Sequence, residues 1–169
     1  VLKRDFSKMK RKIISLSTFM KKQIRGGTFY RYDLMVRYLF IKRYYSEGQS
    51  DKFRYKLYSK FCKKRKVDER SDKFISIINS FEKDGFSEDY EPYMIMNNDY
   101  RMCGGNHRTA CCLWFGICEI PVYIPIKFYD ACKKKKRCWD KKWLISHGLK
   151  NYIPQLEKVR EKIFKQLGI

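Results

Sequence analysis

The sequence predicts a mixed α and β protein in which helices precede and follow a small strand-rich unit. Three observations carry this. Apolar residues recur at helical spacing near both ends of the chain. Between them, short β-type runs are punctuated by glycine, proline and asparagine. At 169 residues, with 44% hydrophobic and 17% aromatic content, the chain is long and apolar enough for one core.

Taken in order, Leu2, Phe6, Met9, Ile13, Leu16 and Met20 repeat at spacings of four and three. They predict an amphipathic helix with a basic opposite face, ended by Gly26 and Gly27. Such a stripe suits packing on its own domain and also suits an anionic membrane surface. From Asp33, the residues Leu34, Met35, Tyr38, Ile41 and Tyr45 outline a second helix that runs out at Glu47 and Gly48. Ser50 or Asp51 is placed to cap a third, over residues 52–66, with Phe53, Leu57, Tyr58 and Phe61 on one side. Its last turn, Lys63, Lys64, Arg65 and Lys66, suits a helix C-terminus and equally suits phosphates. Ser71 caps a fourth helix carrying Phe74, Ile75, Ile78 and Phe81, stopped by Gly85. Residues 93–96 and 100–103 read as hairpin strands across Asn97, Asn98 and Asp99. A helix over 107–115 ends at Gly116, and 120–124 is a further strand, with Pro121 tolerable near its start or on an edge. Residues 133–137 form a basic loop and 139–143 an aromatic segment. Pro154 then opens a terminal helix marked by Leu156, Val159, Ile163, Phe164 and Leu167.

Charge divides the chain more sharply than hydropathy does. Residues 1–66 carry 21 Lys and Arg against 4 Asp and Glu; residues 67–131 carry 6 against 11; residues 132–169 carry 12 against 3. The organisation predicted is a basic helical extension over 1–66, an α/β core over 67–131, and a basic loop with a C-terminal helix over 132–169, all in one compact unit. A net charge of +21 attracts polyanions: nucleic acid, an anionic membrane surface or phosphorylated glycans. A solvated, solubilising surface is the other reading of the same charge.

The seven cysteines are odd in number and include no Cys-x-x-Cys pair. This favours reduced thiols over a disulfide framework or a zinc site, and no metal ligands are assigned. No apolar run approaches the length of a transmembrane helix, and the first residues lack the features of a signal peptide. The prediction is a cytoplasmic protein, with peripheral membrane attachment open.

The chemistry concentrates in residues 100–110, Tyr-Arg-Met-Cys-Gly-Gly-Asn-His-Arg-Thr-Ala. A strand, a glycine turn and a helix start form an arrangement that cradles anions. Gly104 and Gly105 let backbone approach phosphate oxygens, or make a plain turn. Asn106 caps the helix or donates its amide to a substrate. His107 donates to phosphate or carries a proton, unless its own core satisfies it. Arg108 grips phosphate or braces a carboxylate. Thr109 adds a hydroxyl or is simply a first-turn residue.

Across residues 74–124 the order is helix, Gly85, strand, turn, strand, Gly-x-His-Arg, helix, Gly116 and an Ile-Pro-Val strand. This order resembles the ParB N-terminal domain and sulfiredoxin superfamily, over about a third of the chain. The resemblance implies a small mixed sheet with helices and a phosphate cradle made by Gly104, Gly105, Asn106, His107, Arg108 and Thr109. In that superfamily ParB proteins bind and hydrolyse CTP while clamping DNA. Sulfiredoxins use ATP to repair an oxidised cysteine, and free serine kinases phosphorylate serine. Related domains occur in gene clusters for surface polysaccharides.

Two departures narrow the chemistry. Asn106 stands where sulfiredoxins have the catalytic cysteine, which removes the sulfur reaction. Gly104 stands where the kinases begin the motif with aspartate, so a base must come from elsewhere. Asp68 and Glu69 are candidates, because related kinases carry a functional glutamate in this connection. Glu88, Asp89 and Glu91 follow, and Glu69 with Arg70 also reads as a surface pair. About 45 residues follow Ile124, with no clear helix-turn-helix.

The resemblance thus implies a phosphotransferase or nucleotide hydrolase using ATP or CTP with Mg²⁺ and acting on a small hydroxyl or saccharide acceptor. His107, Glu69 and Asp68 are its candidate catalytic residues. The alternatives are a nucleic-acid-binding module or nuclease relative using the basic helices, and a non-catalytic interaction protein that keeps the fold.

Overall fold

Ile13 and Ile14 are neighbours with opposite fates: Ile14 is buried and Ile13 is 53% exposed. That alternation belongs to a strand, not a helix. In the computed structural model, which describes residues 6–87, 94–97, 100, 102–126 and 139–169 (backbone alone at Phe6 and Cys103), strand β1 spans Met9–Ser15. The amphipathic helix expected from residue 2 is thereby corrected. Among the described residues of that stretch, Phe6–Lys8 form a single 3₁₀ turn and only the end is α-helical, as α1 (Leu16–Lys21), where Leu16, Phe19 and Met20 are buried and the Ser15 side chain accepts from the Thr18 N–H. Within that spacing of four and three, Ile13 is exposed while Leu16 and Met20 are buried, so one helical face does not account for the described residues. The β-branched pair Ile13–Ile14 instead finds a partner strand far along the chain.

That partner is a strand over Glu119–Pro125, antiparallel to β1 in register Ile14↔Ile120. It lies inside a four-stranded sheet. In sequence order the intervening strands are a two-residue pair, β2 (Ile24–Arg25) and β3 (Thr28–Phe29), then β4 (Ile95–Met96) and β5 (Met102–Gly104). The Glu119–Pro125 strand is therefore β6, and the sheet order is β1-β6-β4-β5. β4 runs parallel to β6 and antiparallel to β5. Pro121 thus sits in an inner strand. The bonds from Leu16 N–H to the Cys118 carbonyl and from Ile126 N–H to the Lys8 carbonyl flank the β1–β6 ladder. They set its parity so that Pro121, opposite Ile13, falls where no N–H is donated to β1.

Gly26 and Gly27 do not end a helix but form the two-residue turn between β2 and β3. Both have positive φ, 53° and 74°, as a tight hairpin turn of this length requires.

Helix α2 (Tyr32–Ser46) is the spine of the molecule: every residue from Tyr32 to Ile41 is buried, Asp33 and Arg37 included. α3 covers Lys56–Lys64, four residues later than expected, because Ser50 accepts from Lys52 N–H and caps a turn instead. α4 (Ser71–Asp84) ends at Gly85. α5 (Asn106–Phe115) ends at Gly116, which is left-handed. α6 (Lys141–Ser146) is capped by Asp140, and a 3₁₀ turn (Lys150–Tyr152) leads into α7 (Ile153–Leu167). One buried cluster draws on all of these, from Ile14 through Phe40, Phe74, Cys112 and Val122 to Ile163.

The molecule is therefore mixed α+β. Cys62, Cys111, Cys112 and Cys118 are free thiols. Among the described residues no helix is long and apolar enough to cross a membrane. The basic loop at 133–137 lies outside the described residues, as do Asn98, Asp99 and Arg101.

Candidate functional site

The glycine turn is built by packing as much as by chemistry. Gly104 closes β5 opposite Ile95. Gly105 takes φ +87° at the start of α5, and a Cβ there would lie 2.9 Å from the Met94 Cα. Both facts demand glycine. The first intrahelical bond runs from Thr109 N–H to the Gly105 carbonyl at 2.9 Å. The N–H groups of residues 106–108 belong to the part of the helix that has no intrahelical acceptor, and no side chain caps Gly105.

Asn106 is the first helical residue and not the cap. Its Oδ1 accepts from Arg31 Nη2 at 3.0 Å. Arg31 also grips Asp33 bidentately, Nε to Oδ1 at 2.7 Å and Nη2 to Oδ2 at 3.1 Å. Arg37, one turn along α2, donates Nη1 to the Asp33 carbonyl at 2.8 Å and to Oδ2 at 3.2 Å. Burial alone would raise the Asp33 carboxyl; Arg31, Arg37 and Arg65 outweigh it and hold the group below the usual carboxylate range. One carboxylate thus pairs with two guanidinium groups and feels the charge of a third. Arg37 Nε remains buried with no hydrogen-bond partner.

His107 turns from the same helix start toward α3 and α4. Its Nε2 lies 2.7 Å from the Tyr58 hydroxyl, and its ring packs 4.5 Å from the Phe74 ring. Burial, then the charges of Arg37, Arg65, Arg70 and Lys73, push its pKa well below the ordinary value, so the imidazole is neutral at pH 7. Tyr58 is held as a phenol, its pKa raised by burial. Arg65 stacks at 4.0 Å on the Trp139 ring, and Trp139 is strapped over the cluster by hydrogen bonds to Tyr30 and Tyr32.

The remaining predicted residues fall elsewhere. Arg108 is buried against Phe86, 4.4 Å from that ring, and donates to the Ser87 carbonyl, so it braces the end of α4. Thr109 is buried and its hydroxyl donates to the Gly105 carbonyl at 3.0 Å. Asp68 and Glu69 are exposed in the connection between α3 and α4, the segment that also supplies Arg70. Glu69 accepts from the Ser71 hydroxyl at 2.6 Å, so Ser71 serves that carboxylate instead of capping α4. Glu88, Asp89 and Glu91 lie outside the described residues. Among the described residues no three His, Cys, Asp or Glu side chains gather as a metal site.

Sequence reasoning missed Arg31, Arg37, Tyr58, Lys73 and Trp139. One signal pointed to them: Arg31, Asp33 and Arg37 interrupt an otherwise apolar stretch, with the last two spaced to meet on one helix face. Comparison with protein-family models, curated proteins and solved structures gives no match to this chain.

Proposed function

We propose that this protein binds a phosphate-bearing ligand, a nucleotide foremost, at the start of α5, as a ParB- and sulfiredoxin-like α+β protein. The observation that carries the reading is Arg37 Nε. The Arg37 guanidinium is paired with Asp33 through Nη1, but Nε is a buried donor with no hydrogen-bond partner, on a cation whose charge acts on a neutral histidine in the half-buried first turn of a helix. Arg65, Arg70 and Lys73 add positive charge from two further elements, and Asp33, the one buried carboxylate among the described residues, is already committed to Arg31 and Arg37. The succession β5, Gly-Gly turn, α5 and β6 supports the superfamily relation.

In this reading the phosphates lie against the N–H groups of Asn106, His107 and Arg108, with Arg37, Arg70 and Lys73 neutralising them. Gly105 shapes the turn, while Arg108 and Thr109 act only through their backbone and packing. Mg²⁺ bound together with ATP or CTP would supply further neutralisation of the phosphate charge. For phosphoryl transfer to a hydroxyl acceptor, or to water, Glu69 or Asp68, in the connection that also carries Arg70, would supply the base, with His107 hydrogen-bonding the phosphate.

Calorimetric titration with ATP, CTP and their Mg²⁺ complexes tests the proposal. Saturable binding is expected, weakened by about tenfold or more in the Arg70→Ala/Lys73→Ala double variant, both exposed positions. Absence of heat with every nucleotide and with pyrophosphate would overturn it.

A further inference from the structure

Helix α3 has two unlike faces. Leu57, Tyr58, Phe61 and Cys62 are buried, whereas Lys56, Lys60, Lys63 and Lys64 are exposed. At about 100° per residue the four lysines share an arc opposite the buried one. None of them forms an ion pair within the described residues. Glu47, whose charge reaches Tyr55 beside this face, is paired with Arg43 at 3.8 Å.

Aromatic rings of α6 and the following turn pack against α3. Phe61, on the buried side of α3, meets Trp143 of α6 with ring centroids 5.4 Å apart. His147 stacks on Trp143 at 4.1 Å with the planes 19° apart. Lys60 Nζ stands 5.6 Å from the centre of the Tyr152 ring. Trp143, His147 and Tyr152 are all partly exposed, so the succession Phe61, Trp143, His147 passes from the core to solvent, and Tyr152 stands separately beside Lys60. Unpaired cations beside partly exposed rings match the two needs of an unpaired nucleic-acid strand, charge for phosphates and stacking faces for bases.

We propose that the lysine face of α3, with the rings of α6 and the following turn, is a binding surface for single-stranded nucleic acid. Phosphates follow Lys56, Lys60 and Lys64, and bases stack on His147 and Tyr152. A duplex offers its phosphates but not its base faces, so the single strand is preferred. The proposal does not depend on the α5 site.

Fluorescence anisotropy of the full chain with a labelled oligothymidine of about 12 nucleotides, and with a duplex of equal length, tests it at about 50 and 200 mM salt. The single strand is expected to bind more tightly. Lys60→Glu/Lys64→Glu should weaken it by about tenfold or more and flatten the salt dependence. His147→Ala and Tyr152→Leu should each weaken it about tenfold while leaving the affinity for inorganic polyphosphate unchanged. Lys10→Glu/Lys12→Glu on β1, an equal charge change at another exposed surface, should cost far less. Circular dichroism confirms that each variant is folded. The proposal is overturned if the β1 variant is as damaging as the α3 variant, or if the ring substitutions have no effect. Duplex binding as tight as single-strand binding, or attachment to anionic vesicles without oligonucleotide binding, also overturns it.

Discussion

His107 is uncharged because its surroundings penalise a proton twice, by burial and by four nearby cations. Its folded pKa lies below the unfolded one, so the unfolded chain binds the extra proton. Stability from this residue is complete above about pH 6.5 and is lost as pH falls through the window below it. Urea unfolding between pH 7.5 and about 5 should therefore show stability falling with acid, and His107→Gln should flatten that fall. If nucleotide phosphates sit beside the imidazole, saturating ATP should flatten it too, by favouring the charged form. Gly105 offers a second check. Ala at φ +87°, with its Cβ 2.9 Å from Met94, combines left-handed strain with overlap. Gly105→Ala should cost about 2–4 kcal/mol in denaturant unfolding. Both residues were legible as members of a motif. The sequence did not reveal that one glycine is required by Met94 and that the histidine is held by Tyr58, since neither neighbour is near in the chain.

At the scale of elements, α2 decides the arrangement. A helix buried on every side places Asp33 and Arg37 where hydration cannot reach them, so they must satisfy one another. Arg31 then extends the network to Asn106 and fixes the start of α5 against α2. Asp33→Asn leaves two buried guanidinium groups without their carboxylate. It should destabilise the protein by about 3–5 kcal/mol, and more at neutral pH than near pH 3, below the unfolded carboxyl's pKa of about 3.9, where the unfolded chain takes up a proton that the native carboxylate resists. Equal destabilisation at both pH values would show that the charge is not what matters. Strand β1 teaches the opposite lesson. Its stripe of apolar residues had helical spacing, and the pairing with β6 overrode it, because register with a distant strand outweighs a weak local period.

Across the whole molecule, one core joins three stretches of very different charge. Glu157 of α7 accepts from Tyr32 of α2 and pairs with Lys141 at 3.1 Å and Arg160 at 2.9 Å, tying the C-terminal helix to the spine. Cooperative burial of this kind is readable from the thiols. Cys62, Cys111 and Cys112 lie in the core, and burial pushes the Cys112 pKa up to about 12. Cys118 is exposed. Peptide mapping after iodoacetamide treatment should find Cys118 alkylated rapidly. The three core thiols should react at least about a thousandfold more slowly, and together, since they wait on global opening. Early labelling of Cys111 alone would show that α5 opens by itself.

The sequence by itself determined the α+β class, the helices near 32–46, 71–84, 106–115 and 153–167, and the glycine turn before α5. Those features rest on local signals: apolar period, proline at a helix start, glycine at a helix stop. Only the tertiary structure decided that residues 9–15 pair as a strand, that Arg108 turns inward, and that Arg37, Arg65, Arg70 and Lys73 converge on His107. The reason is physical. Period and capping act within a few residues, whereas strand register and the meeting of charges depend on contacts between segments far apart in the chain, which no local pattern encodes.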